Sequence, residues 1–200
     1  MTMQLSRRRD GYLYETSLRA AGVAGWFLRG HISEQTKLIE IDGSIRPVDY
    51  YSEDTIASPD RITSYSFDQP DGRVTGLYKS RLIDAPMKPY GQNRISMHIA
   101  IMRALQSGTE FSDYSVFDRG RWKDYQFDIV RNQRAKTPLG NFDTVEIRYS
   151  SPGSAKSWSL HCAPTLAYLP VMLIYREGGK IKSRALLTDY RIDDPDESDQ

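Results

Sequence analysis

Thr144-Val145-Glu146-Ile147-Arg148-Tyr149 sets Val145, Ile147 and Tyr149 on one side of an extended chain and Thr144, Glu146 and Arg148 on the other. A two-residue period of this kind is what a strand shows when one face is buried and the other is wet. The preceding stretch reads the same way, with Tyr125, Phe127 and Ile129 alternating with Asp124, Gln126 and Asp128. Beyond it, Trp158, Leu160 and Cys162 face one way against Ser157, Ser159 and His161, and Pro164 and Pro170 interrupt the ladder around Tyr168. Val171 to Arg176 is apolar on both faces. Glu177-Gly178-Gly179-Lys180 supplies the positive-φ residues of a tight hairpin, and Ile181 to Tyr190 returns as the partner strand.

The first half repeats the pattern in shorter pieces. Strands are predicted at Tyr12 to Arg19, Gly25 to Ser33, Lys37 to Ile41, Pro47 to Ser52, Thr63 to Phe67 and Arg73 to Ile83, punctuated by Asp42-Gly43, Pro70-Asp71-Gly72 and later Leu139-Gly140-Asn141. A sheet of about ten strands or more curls. The expected fold is therefore mainly β, a curved antiparallel sheet or open β-barrel, carrying one helix as plug or cover. That helix is read over about 93–106, where Ile95, Ile99 and Met102 recur at helical spacing and Met97, Ile101 and Leu105 widen the apolar stripe. Asn93 suits its N-terminal cap and Gly108 the position past its end. His98, on or beside that stripe, reads as a hydrogen-bonded packing residue.

The 200 residues make one domain, expected over residues 11–191, with 1–10 and 192–200 as disordered tails. The acidic end, Asp193 to Asp199 around Pro195, is too polar to bury itself. A formal net charge of +1 gives no electrostatic reason to expect nucleic acid. No apolar run is long enough for a transmembrane segment, and Met1 to Arg9 lacks the apolar core of a signal peptide.

Motifs that carry chemistry are missing: no phosphate-binding glycine loop, zinc-protease helix, nucleophile elbow or calcium loop occurs. The single cysteine, Cys162, excludes an intrachain disulfide and a cysteine zinc site. His161 and Cys162 are sequence neighbours on a strand and so point to opposite faces. They are not expected to share a metal, and His161 is expected on the wet side, where its loss would cost almost nothing. A glycan-cleaving pair would draw on carboxylates within the β segments, such as Glu15, Asp68, Asp143 and Glu146. No catalytic residue, metal ligand or cofactor is assigned.

Leu160-His161-Cys162-Ala163-Pro164-Thr165-Leu166-Ala167-Tyr168-Leu169-Pro170-Val171 resembles the signature of the bacterial domain-of-unknown-function family 3108. Thr137 to Val145, Tyr14-Glu15, Gly22 to Gly25, Gly43 with Pro47 and Tyr50, Phe67-Asp68 and the Ile95 to Leu105 helix match it as well. The resemblance runs from about Gly11 to Tyr190. It implies an exported, usually periplasmic protein of Gram-negative bacteria, a curved sheet or open barrel similar to half-barrel carriers of envelope lipoproteins, and no established activity. Two departures from the family are the missing signal peptide and His161-Cys162 in place of a Trp-Leu pair.

The reading that follows is a non-enzymatic envelope protein whose groove takes a lipid or other apolar ligand. Tyr14, Trp26, Trp158 and Tyr168 would line the groove, and Arg94 at its mouth would meet an anionic head group. The alternative is an interaction module with a filled core that binds an envelope protein. A glycan-active enzyme using paired carboxylates is more distant.

Overall fold

A computed structural model describes residues 1–20, 30–56, 61–109 and 113–193. These residues form sixteen strands and one α-helix, so the expected class is observed, with more strands than the ten anticipated. Nine strands make one sheet in the order β16 (Asp189–Ile192), β1 (Thr2–Arg8), β2 (Gly11–Arg19), β3 (His31–Ile41), β5 (Asp49–Asp54), β6 (Arg61–Asp68), β7 (Arg73–Tyr78) and β8 (Arg81–Pro86), with β4 (Ser44–Pro47) also paired to β3. The other seven run β15 (Lys180–Leu186), β14 (Leu169–Glu177), β13 (Lys156–Ala163), β12 (Gly140–Ser150), β11 (Arg121–Thr137), β10 (Tyr114–Asp118) and β9 (Gln92–Asn93). Pairing is antiparallel except at β1 with β16 and β9 with β10.

Helix α1 (Ser96–Ser107) lies between the sheets. Ile95, just before it, joins Ile99 and Met102 in one buried cluster with Tyr14, Leu38, Tyr50 and Phe67 of the nine-stranded sheet. Met97 and Ile101 join a second cluster with Tyr125, Ile147, Leu160 and Cys162 of the seven-stranded sheet. The wide apolar stripe is thus spent on two surfaces, and Leu105 is only half-buried against the second. The N-cap residue is Ile95, without a side-chain cap bond, and Asn93 two residues earlier secures the turn into the helix instead: its Oδ1 accepts the N–H groups of Ile95 (3.1 Å) and Ser96 (2.8 Å), while the Ser96 hydroxyl accepts the Asn93 N–H. Asn93 Nδ2 also donates to Thr36 Oγ1 at 2.8 Å, which fixes the helix start to β3. Gly108, at φ 66°, ends the helix and returns its N–H to the Ala104 carbonyl.

Three expectations are corrected. Residues 1–10 are not a disordered tail, because Thr2–Arg8 form β1, whose Met3 and Leu5 share the inner face with Tyr14 of β2. Arg73 to Ile83 is a hairpin instead of one strand, since Lys79 and Ser80 take positive φ (49° and 63°) without a glycine or asparagine to announce the turn. Lys37 to Ile41 is the end of an eleven-residue strand, β3, beginning at His31. The expected strand from Gly25 lies outside the described residues up to Arg29, as do residues 194–200 of the expected C-terminal tail. Gly76, at φ 145°, packs so closely on β6 that an added Cβ would stand 2.0 Å from the Ser64 carbonyl oxygen.

Candidate functional site at the mouth of the sheets

Alternation along β3 turns Glu34, Thr36 and Leu38 inward together. Two of these are ordinary for an inner face; a carboxylate that is 4% exposed is not. Glu34 is partnered from two sides. Tyr50 of β5 donates its hydroxyl to Oε1 at 2.6 Å, and Arg94, between β9 and α1, brings Nε to 3.4 Å from Oε1 and a terminal nitrogen to 3.5 Å from Oε2. The Arg94 side chain remains 45% exposed. Its contacts are longer than the roughly 2.7–2.9 Å of a tight guanidinium–carboxylate fork, so several of its five N–H groups are open to another acceptor.

Burial, reinforced by the Glu34 charge, raises the Tyr50 hydroxyl well above its ordinary pKa. Arg94 is held charged chiefly by Glu34. His98, one turn along α1, is pushed down to about 4 by burial and by the Arg94 charge, so it is neutral at pH 7. The Nδ1 of His98 and the Thr16 hydroxyl, whose residue stands opposite Glu34 in the β2–β3 register, are buried without a hydrogen-bond partner.

Facing this cluster, the seven-stranded sheet carries an aromatic row on its inner side. Tyr114, Phe127, Tyr149, Trp158 and Tyr175 come from β10 to β14 in turn, with Tyr149 and Trp158 stacked at 5.7 Å and Trp158 and Tyr175 at 5.4 Å. Tyr149 is buried and the other four are half-buried. Arg94 and Tyr149 feel each other electrostatically, which links the row to the Glu34 cluster.

The anticipated ligand residues are distributed over this frame. Trp158 stacks on Tyr149, and the Arg94 charge acts on the same tyrosine. Tyr14 is fully buried within the core, its hydroxyl 3.3 Å from Met3 Sδ and its ring 6.4 Å from that of His98. Tyr168 is half-buried beside Ala167, whose carbonyl accepts from Gln106 at the far end of α1, roughly 15 Å along the helix from Arg94. Trp26 lies outside the described residues. Glu34, Tyr50 and Tyr149 were not anticipated. Glu34 was hidden because β3 had been divided into two predicted pieces, so its place in the inward register was lost.

A second polar cluster occupies the outer side of the seven-stranded sheet. Glu146, 3% exposed, accepts a two-pronged bond from Arg148 (2.9 and 2.9 Å), and Arg176 donates to Ser159 at 2.6 Å. Burial acts to raise the Glu146 carboxyl, but the Arg148 and Ser159 hydrogen bonds outweigh it and hold it low. His161 and Cys162 do face opposite ways, yet His161 is not wet. It is 7% exposed, its Nδ1 3.4 Å from Thr144 Oγ1 and its Nε2 3.9 Å from Glu146, too far for a hydrogen bond. Its strand partners are Glu146 of β12 and Met172 of β14. Burial pushes the Cys162 thiol up, away from reactivity. Of the other carboxylates considered, Asp143 pairs with Arg134 and Asp68 accepts the N–H of Asp71 in a turn. Among the described residues no three metal-ligating side chains gather.

The profile of a family described as Protein of unknown function (DUF3108) matches residues 1–178. The chain belongs to this family. No curated protein matches it. Among solved structures, this DUF3108 chain is similar to a β-barrel-like protein of domain of unknown function DUF1849 from Brucella abortus. The two share 10% identity over 89% of this chain and 83% of that one, with a TM-score of 0.50. At that identity the likeness shows the fold alone. No described helix is long and apolar enough to cross a membrane.

Proposed function

We propose that this DUF3108 protein is a non-enzymatic, periplasmic binding module of the bacterial envelope. Its ligand is an apolar molecule, an acyl chain or similar, laid on the aromatic row with an anionic head at Arg94. The observation that carries this reading is Arg94 itself: a guanidinium held charged by a buried carboxylate, loosely bonded to it, half open to solvent, and acting electrostatically on Tyr149 of the aromatic row. Such a pairing of apolar wall and few polar groups suits a small-ligand site. Because the first half of α1, Ser96 to Met102, is buried, the ligand is confined to the end before Ser96.

The test is native mass spectrometry with organic extraction, followed by displacement of a fluorescent fatty acid. Trp158→Ala should weaken the fatty acid and its methyl ester alike, whereas Arg94→Ala should weaken only the free acid, by roughly tenfold. No extractable ligand and no displacement would leave the second reading, an interaction module with a filled core, which the burial of α1 on two surfaces favours. Fractionation of the source cell tests the compartment, and recovery only from the cytosol would sink it.

A further inference from the structure

We propose that the outer face of the nine-stranded sheet binds a neutral linear oligosaccharide, independently of the mouth. Register places Arg191, Gln4, Glu15, Gln35 and Tyr51 side by side on β16, β1, β2, β3 and β5. A parallel rank of Asp189, Thr2, Ser17 and Ser33 runs beside them. Both ranks lie on the face opposite buried Met3, Tyr14 and Tyr50 and line a concavity of about 560 Å³. With strands about 4.8 Å apart, the first row crosses roughly 19 Å, the length of a few sugar rings.

Three features point to a polyhydroxyl ligand. The residues of the two ranks are almost all polar or charged, where sites for apolar ligands are lined mostly by apolar side chains. Its amides and carboxylates each offer two polar atoms in a plane, which fits vicinal hydroxyl pairs that both donate and accept. Two carboxylates and one guanidinium make the lining a poor match for a polyanion. Tyr51, 36% exposed at the end of the row, offers a flat ring for the C–H face of a sugar. These groups are also mostly unspent. Gln4 donates to Ser6 and Arg191 pairs with Asp193, but Glu15, Gln35, Tyr51 and Asp189 have no side-chain hydrogen bond or ion pair among the described residues.

Isothermal titration of the full chain with cellohexaose, chitohexaose, maltohexaose and, as a polyanionic comparator, heparin oligosaccharide tests the proposal. At least one neutral hexasaccharide should bind. Tyr51→Ala and Gln35→Ala should each weaken it by roughly tenfold with the melting midpoint unchanged, and Arg184→Ala on the other sheet should not. The fatty-acid site should be unaffected by Tyr51→Ala, so failure at one site is separable from failure at the other. Binding of heparin alone, of none of the four, or binding indifferent to both substitutions would overturn the proposal.

Discussion

At the scale of single residues, the two arginine–glutamate pairs differ in a way that sets their roles apart. Arg148 grips Glu146 with two 2.9 Å bonds, whereas Arg94 holds Glu34 at 3.4 and 3.5 Å with Tyr50 taking the short bond. Glu146→Ala would leave Arg148 without its acceptor and Arg176 without its nearby counter-charge at 3.9 Å, and should cost about 1–3 kcal/mol, read from a urea melt. His161→Ala should cost about 1–2 kcal/mol, and Cys162→Ala about 1 kcal/mol, because both side chains are packed. His98 gives a pH prediction. Its folded pKa of about 4 lies below the unfolded value near 6.5, so the unfolded chain binds the extra proton between those values. Stability should therefore be full above about pH 6.5 and decline as pH falls towards 4, by up to about 3 kcal/mol. His98→Phe should flatten that segment of the curve relative to the parent, with Tyr14 and Arg94 as the groups facing the ring; an unchanged slope would refute the assignment.

At the scale of elements, α1 was legible to within a turn because period, Asn93 and Gly108 agree with one another, although its N-cap falls at Ile95. Asn93→Ala should cost about 1–2 kcal/mol, since it removes the bonds to the Ile95 and Ser96 N–H groups and the bond to Thr36. Ile101→Ala, emptying a fully buried site, should cost about 2–5 kcal/mol by thermal melting. Strand signals were weaker where turn chemistry was silent: Lys79-Ser80 makes a hairpin turn from residues with no preference for positive φ. The inward place of Glu34 was illegible for a related reason, because a strand's register is visible only when its full length is known. The cluster around His161 was missed because alternation distinguishes two faces but does not say that an outer face is covered. Gly76→Ala should be strongly destabilising, since β6 backbone occupies the space a Cβ needs.

At the scale of the whole molecule, the aromatic row and Arg94 come from segments far apart in sequence, so single-position reasoning names Arg94 and Trp158 without relating them. Tyr14, fully buried beside His98, and Tyr168, near the far end of α1, show how aromatic composition alone scatters candidates. The N-terminal residues were read as a tail because their apolar content is low; β1 is ordered by neighbours on both sides. The parallel ladder of β1 and β16 pairs Thr2 with Asp189. Ribosomal synthesis at roughly 5–20 residues per second delivers β16 about ten to forty seconds after β1. Through that interval β1 can hold only β2, and the nine-stranded sheet keeps an open position beside its earliest strand. The nine-stranded sheet is therefore incomplete until the chain has been made as far as β16. Such a delay, set by a contact spanning almost the whole sequence, gives the chain a slow, late-closing route to its native state.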